Sequence, residues 1–436
     1  MKKFEKGFLL GAATAAHQVE GNNVNSDMWA MEQMETTSFA EPSADAVDEY
    51  HRYEEDILLL KNAGLNAYRF SIEWARIEPR EGVFDEDAMR HYLDEIAFCR
   101  ANGVEPVVTL HHFSSPKWLI TKGGWEAPST PDDFEKYVRY VIGRIGSQVN
   151  YVCTINEANM GLQVAALAKR YEMVIQKMLA QRAADPDSAT DADGAVQVGI
   201  NLEKMMAGKE KAAQENLKVF GVKELKYFTS MLGPEGDEIV MRAHAKARDA
   251  IKELYPDIKV GLTLSLHDIQ PQEGGEQRAL QEWSDEFAHY LPVIGDDDFL
   301  GVQNYTRSLM GPDGQLPNPE GAEITQMDYE FYPEALGHVI RKVTEDFKGD
   351  IIVTENGIAT ADDSRREEFI RRALGGVQDC IADGLPVKGY FHWSLLDNFE
   401  WQKGFAMTFG LIAVDRRTQK RYPKESLKVL GSYAPV

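Results

Sequence analysis

The sequence predicts an α/β protein built as a single (β/α)8 barrel with elaborated loops after its strands. Three observations lead there: eight short apolar runs bounded by polar or turn residues, amphipathic stretches of good helix formers between them, and a length of 436 residues that suits one elaborated barrel. Strands that alternate with helices pair in parallel through right-handed crossovers, and eight such units close a parallel sheet on itself. A doubly wound open sheet would carry a Gly-rich phosphate turn after an early strand. Neither GxGxxG nor GxxxxGK followed by Ser or Thr occurs.

In chain order the strand candidates are residues 7–16, 66–72, 106–113, 151–156, 259–266, 299–305, 350–354 and 387–393. The helical candidates are 45–62, 86–102, 131–145, 237–254, 333–347 and 365–383, each with Pro or Gly near its ends. The first run follows Lys2 and Lys3 and superficially resembles a short signal peptide. Glu5 and Lys6 interrupt its approach, it is rich in Gly and Ala, and it runs straight into Gln18 and Glu20, so it reads as a strand. No run approaches the ~18 apolar residues of a membrane helix. A long insertion, residues 161–234, follows the fourth strand and includes a polar, Ala- and Asp-rich stretch at 183–194. It reads equally as a solvated excursion or as a lid over the barrel mouth. No internal repeat of 20 to 50 residues is present, and eight strand–helix units closed into one barrel account for residues 1–436 as a single domain.

Composition narrows the function classes. With 43% hydrophobic and 10% aromatic residues the chain folds, and a formal net charge of −23 repels nucleic-acid phosphates and anionic lipid surfaces. A small neutral or cationic ligand fits best; no nucleic acid and no membrane partner is expected. Cys99, Cys153 and Cys380 have neither disulfide-framework nor metal-ligand spacing, which suits a reducing, cytoplasmic setting. No cofactor motif is present, and oligomeric state is not legible.

In a (β/α)8 barrel the polar residues at the C-terminal strand ends face the active-site mouth. Here they are Gln18, Glu73 and Trp74, His111 and His112, Asn156 and Glu157, His267 and Asp268, Asn304 and Tyr305, Glu355 and Asn356, and Trp393. A single Glu at such an end is most simply an ion pair or a helix cap. Two of them, Glu157 and Glu355, lie three strands apart on the ring and can face each other across it. Carboxyl groups so placed can share one glycosidic bond, one protonating the leaving oxygen and the other attacking the anomeric carbon. His111 and His112 do not form a metal site, because neighbouring side chains on a strand point to opposite faces. His112 is expected inward.

The chain resembles family 1 glycoside hydrolases, the retaining β-glucosidase and β-galactosidase group, over nearly its whole length. Seven segments in order carry the resemblance: residues 8–21, 68–77, 109–113, 154–157 (Thr-Ile-Asn-Glu), 298–306, 353–357 (Val-Thr-Glu-Asn-Gly) and 389–401. The resemblance implies Glu157 as general acid/base and Glu355 as nucleophile. It implies that Asn156 contacts the sugar 2-hydroxyl, that Arg69 and Tyr305 orient the nucleophile, and that Gln18, His112, Tyr305, Trp393, Glu400 and Trp401 form the sugar pocket with Trp393 as its floor. Neutral sugars need such a mixture of hydrogen-bonding side chains and an aromatic face.

Several positions depart from the family pattern. Ala158 stands where the family has proline, Phe113 and Ser114 replace Trp and Asp, Gln303 replaces a pocket Asn, and the region after Met160 lacks the aromatic, Gly-rich continuation that lines the leaving-group side. Members acting on 6-phosphoglycosides would carry Ser in place of Glu400 and Lys in place of Met407, so a non-phosphorylated β-glycoside is expected. β-Glucoside ranks first, while galactoside, fucoside, xyloside and mannoside stay open. A catalytically silent sugar-binding barrel, or an enzyme that chiefly transfers glycosyl groups, are the competing readings.

Overall fold

The computed structural model describes residues 3–170 and 209–436. Eight strands close into a barrel: β1 (Leu9–Ala13), β2 (Ala67–Ser71), β3 (Glu105–Thr109), β4 (Tyr151–Cys153), β5 (Lys259–Ser265), β6 (Phe299–Gln303), β7 (Asp350–Asn356) and β8 (Val387–Trp393). Each pairs in parallel with its neighbours in chain order, and β8 returns to β1 with Leu9 opposite Gly389. Each strand is followed by an outer helix: α1 (Glu49–Asn62), α2 (Glu86–Ala101), α3 (Thr130–Ile145), α4 (Pro234–Leu254), α5 (Glu276–Glu286), α6 (Ala335–Asp346), α7 (Asp363–Ala382) and α8 (Glu425–Gly431).

The strands are buried on both faces, so they read as continuous apolar runs; β7 is buried from Ile351 to its end. The helices bury one stripe. In α3, Phe134, Tyr137, Val138, Val141, Ile142 and Ile145 recur at helical spacing, and this face packs against α4. Pro131 fits the first turn of α3, and Asp85 caps α2 by accepting from Asp87 and Ala88 N–H.

The structure moves several predicted boundaries. Helix α1 begins at Glu49 rather than residue 45, because Ala46 and Asp48 adopt left-handed backbone that no helix continues through. Strand β4 ends at Cys153, so Asn156 and Glu157 sit on the loop beyond it, whereas β7 runs two residues past its predicted end and carries Glu355 within the strand. Beyond the predicted elements lie α5, α8, the small sheet of Asp268–Pro271, Arg307–Gly311 and Gly314–Gln315, and the hairpin of Ile412–Asp415 and Lys420–Pro423. A helix begins at residue 160, just before the predicted insertion, and runs through 170; Lys209–Phe220 within the insertion is helical, and Pro234 at its end opens α4. Its polar stretch at 183–194 lies outside the described residues. The three cysteines are buried and free, and among the described residues no helix is long and apolar enough to cross a membrane.

Candidate active site

The C-terminal ends of the strands converge on Glu355. Arg69, fully buried on β2, donates from Nη1 to Glu355 Oε1 at 2.7 Å, and the Tyr305 hydroxyl, just after β6, donates to Oε2 at 2.7 Å. Arg69 Nη2 also donates to Asn156 Oδ1 at 2.5 Å, where Gln303 Nε2 adds a second donor at 2.7 Å. Two strong donors on one oxygen fix the Asn156 amide with its Nδ2 turned to His112, 3.2 Å from the ring Nε2.

Glu157 is held differently. Its backbone is left-handed, φ 44°, a conformation uncommon for a residue with a side chain, and its N–H donates to Thr263 Oγ1 on β5 at 2.9 Å. Ser265, two residues further along β5, hydrogen-bonds its carboxyl. Burial pushes both carboxyls up, but the strongest neighbouring influences on the two act in opposite senses. At Glu157 the charge of Glu355 adds to the effect of burial and raises the group well above the ordinary carboxylate range. At Glu355 the Arg69 cation and the Tyr305 hydroxyl oppose burial. The proton shared by such a pair rests on Glu157, and Glu355 is the group that ionises first.

Beside the two carboxyls lies a small, tight pocket lined by Gln18, His112, Phe113, Tyr305, Trp393, Glu400, Trp401 and Phe409 together with Glu157 and Glu355. The His112 ring lies nearly parallel to Trp393, centroids 5.6 Å apart. Burial and the nearby Arg69 cation hold His112 well below its ordinary value, so it is neutral and can both donate and accept. Gln18 donates from Nε2 to the Phe399 carbonyl at 2.7 Å and to Glu400 Oε2 at 3.4 Å. The result is two carboxyls of contrasting protonation under a cup of aromatic faces, amides and a third carboxylate.

Of the strand-end residues singled out by sequence, the structure brings Gln18, His112, Glu157, Tyr305, Glu355 and Trp393 to the pocket, and with them Glu400 and Trp401. Asn156 and Arg69 stand directly behind. The others serve the fold. Glu73 accepts from the Ser114 hydroxyl and caps Ala75, and Trp74 donates to Glu78. Strand β3 ends at Thr109, so His111 and His112 lie beyond it rather than on the predicted strand, and His111 turns away from the pocket to contact Ser115 and Trp125. His267 pairs with Glu286, Asp268 with His338, Asn304 with the Leu266 and Thr306 carbonyls, and Asn356 with Tyr390. Sequence reasoning assigned no site role to Phe409, Thr263 or Ser265. Thr263 and Ser265 alternate along β5, and that inward period was the signal that could have found them.

Known proteins share this architecture. The family model described as glycosyl hydrolase family 1 matches residues 1–179 and 297–434. Beta-glucosidase A of Thermotoga maritima is 29% identical over 482 residues, covering 98% of this chain and 96% of that protein. The 6-phospho-beta-galactosidase of Lacticaseibacillus casei is likewise 29% identical, over 98% of this chain and 96% of its own length. Among solved structures, the beta-glycosidase BGL167 superposes with a TM-score of 0.87 at 42% identity, over 99% of this chain and 97% of that one.

Proposed function

The chain belongs to glycosyl hydrolase family 1 and is a glycoside hydrolase, and from that premise we propose that it is a retaining β-glycosidase acting on the terminal sugar of neutral, non-phosphorylated β-glycosides, β-glucosides first. The observation that carries this reading is the asymmetry of the carboxyl pair: Glu355 braced by a cation and a phenol, Glu157 kept protonated by burial and by the charge of Glu355.

In the first step Glu355 attacks the anomeric carbon while Glu157 gives its proton to the departing glycosidic oxygen, leaving a glycosyl ester and a free alcohol. Ester formation removes the negative charge of Glu355, and with it much of what kept Glu157 protonated. Glu157, now ionised, takes a proton from water as the water oxygen attacks the same carbon from the opposite face. Glu355 leaves as a carboxylate, Glu157 is protonated again, and two inversions amount to retention.

The pocket walls support a neutral sugar. No Lys or Arg lines the cavity among the described residues, and Arg69 is engaged by Glu355 and Asn156. Glu400 lines it as a third carboxyl and Met407 packs nearby against the Tyr305 cluster, so a sugar phosphate meets negative charge without a compensating cation. Substrate choice here thus differs from that named for the Lacticaseibacillus relative.

A panel of p-nitrophenyl β-glucoside, galactoside, fucoside, xyloside, mannoside and glucoside 6-phosphate tests the reading. Turnover of a neutral member, with the β-anomer of the free sugar appearing first by proton NMR, is the expected result; initial release of the α-anomer, or preference for the 6-phosphate, overturns it. With azide, Glu355→Gly is expected to yield the α-glycosyl azide and Glu157→Ala the β-azide. The reverse pattern would exchange or remove the two roles.

A further inference from the structure

Two adjacent residues on the turn after β1 grip the same wall of the pocket from different sides. Gln18 enters the pocket and holds Phe399 and Glu400 by hydrogen bonds. His17, beside it, does not line the pocket. Its ring lies flat against Trp401, centroids 5.6 Å apart and planes within 5°, and meets Phe399 edge-on at 6.1 Å. Trp401 needs such support, because its backbone is left-handed with φ 43° and it opens a single 3-10 turn ending at Lys403.

His17 is itself rigidly placed. Its Nε2 donates to Glu32 Oε1 at 2.7 Å, both side chains being wholly inaccessible to solvent, and Glu32 Oε2 accepts from Ser43 N–H and Oγ–H at 2.8 and 2.7 Å. A buried carboxylate with three donors is well compensated, so the bond is directional and persistent. On the other ring edge Asn23 Nδ2 lies 3.1 Å from Nδ1, while Asn23 Oδ1 is buried without a partner. Half a turn of that amide presents Oδ1 instead, as an acceptor for a protonated Nδ1. The cradle therefore fits both the neutral imidazole and the imidazolium.

Resting on the sugar-pocket reading above, we propose that His17, braced by Glu32, is a positioning residue that holds the Trp401 wall for the sugar, and that its protonation state tunes the affinity of that wall. The titratable groups facing His17 are Glu32, Glu73 and Asp27, of which burial raises Glu73 and pushes Asp27 up to about 7. Burial draws the imidazolium down, but Glu32, with Glu73 and Asp27 behind it, outweighs burial and leaves His17 above its ordinary value. The sign follows. Below this raised value the imidazolium stacks on the indole as a cation on a π face, and as pH rises through it that attraction is lost.

The test uses His17→Phe, which keeps a ring against Trp401 but loses Glu32, and His17→Leu, which loses both. For a neutral β-glycoside, KM is expected to rise about five- to tenfold in His17→Leu and less in His17→Phe, with kcat within about threefold, a size set by one aromatic contact. The wild-type rise of KM at alkaline pH should vanish in both variants. Incorporated 5-fluorotryptophan supplies a readout without substrate: the Trp401 resonance, assigned by its absence in Trp401→Phe, should titrate in the ligand-free wild type and stay fixed in His17→Phe. An unchanged KM in folded His17→Leu, or a Trp401 resonance that titrates alike with and without His17, overturns the proposal. Because the fluorine signal requires no turnover, a titrating Trp401 in a protein without glycosidase activity would sink the functional reading and leave the His17 coupling standing.

Discussion

Two buried arginine–carboxylate pairs in this molecule have similar chemistry and opposite uses. Arg421, on the C-terminal hairpin, meets Asp56 of α1 in a bidentate pair, Nε to Oδ1 and Nη2 to Oδ2 both at 2.8 Å, with Nη1 spent on the Gln419 carbonyl. Neither side chain is exposed, and the pair fastens the hairpin to the barrel wall. Arg69 instead divides its two terminal nitrogens between Glu355 and Asn156, and Glu355 receives one bond per oxygen from different donors. Both carboxylates accept one bond per oxygen, but the structural one is closed in by a single partner, both side chains inaccessible to solvent. The one at the pocket is held by two separate groups and lines the cavity, where a reacting atom can reach it, which is what preorganisation requires.

Glu355→Gln should break the second pair functionally with little structural cost, since the amide oxygen still accepts from Arg69. Turnover is expected to fall by at least about 10⁴-fold while the denaturant midpoint stays near wild type. A variant with more than a few per cent of wild-type kcat would remove Glu355 from its role. Asp56→Ala should do the converse, leaving Arg421 buried and unpaired: a loss of about 3–5 kcal/mol in unfolding free energy with kcat retained in the folded fraction. Loss of activity without loss of stability would contradict the division drawn here.

Tyr305→Phe sharpens the comparison by removing one of the two bonds to Glu355. A hydrogen bond to a charged group is worth about 1.5–3 kcal/mol, so kcat/KM is expected to drop about 10- to 100-fold. Because the hydroxyl favours the ionised form of Glu355, its loss should move the acidic limb of the pH–rate profile upward. With Glu157 in the proposed acid/base role, the alkaline limb should change less. A downward move of the acidic limb would mean that the acid-side titration belongs to another group.

The smallest expected effect concerns Glu95 on α2, a buried carboxyl with Oε1 unpartnered, raised well above the ordinary range by burial and by the charge of Glu49. The folded protein keeps a proton here that the unfolded chain releases, so this group lowers stability as pH climbs from about 4.3, the ordinary glutamate value, toward its raised one. Glu95→Gln should stabilise the protein at neutral pH by about 1–2 kcal/mol and flatten that slope. Parallel stability-versus-pH curves for variant and wild type would show that Glu95 does not titrate in this window.

Much of the fold is legible in sequence because barrel strands are buried on both faces and so stand out as unbroken apolar runs, such as Ile351 to Val353. Helix α5 was harder to see. Its buried stripe is Ala279, Glu282, Trp283 and Glu286, half of it carboxylates satisfied by Arg278, Arg170 and His267, and so it lacks an apolar signature. The site shows the same division. Glu157 and Glu355 fall at strand ends that pattern alone marks out, and residues such as Glu400 and Trp401 were reached only through resemblance.

What the sequence determined by itself was the ring: eight apolar runs separated by helix formers permit one closed parallel sheet, and the sheet dictates which ends carry chemistry. What only the tertiary structure decided was which polar residues at those ends meet. His111 and His112 are neighbours in the chain, yet one joins the cluster around Trp125 and the other lines the pocket. Gln303 and Asn156 are 147 residues apart and share a hydrogen bond. Strand pattern depends on residues a few positions apart, whereas proton affinity depends on charges brought within a few ångströms by closure of the ring. The contrast between Glu157 and Glu355 therefore exists only in the folded chain.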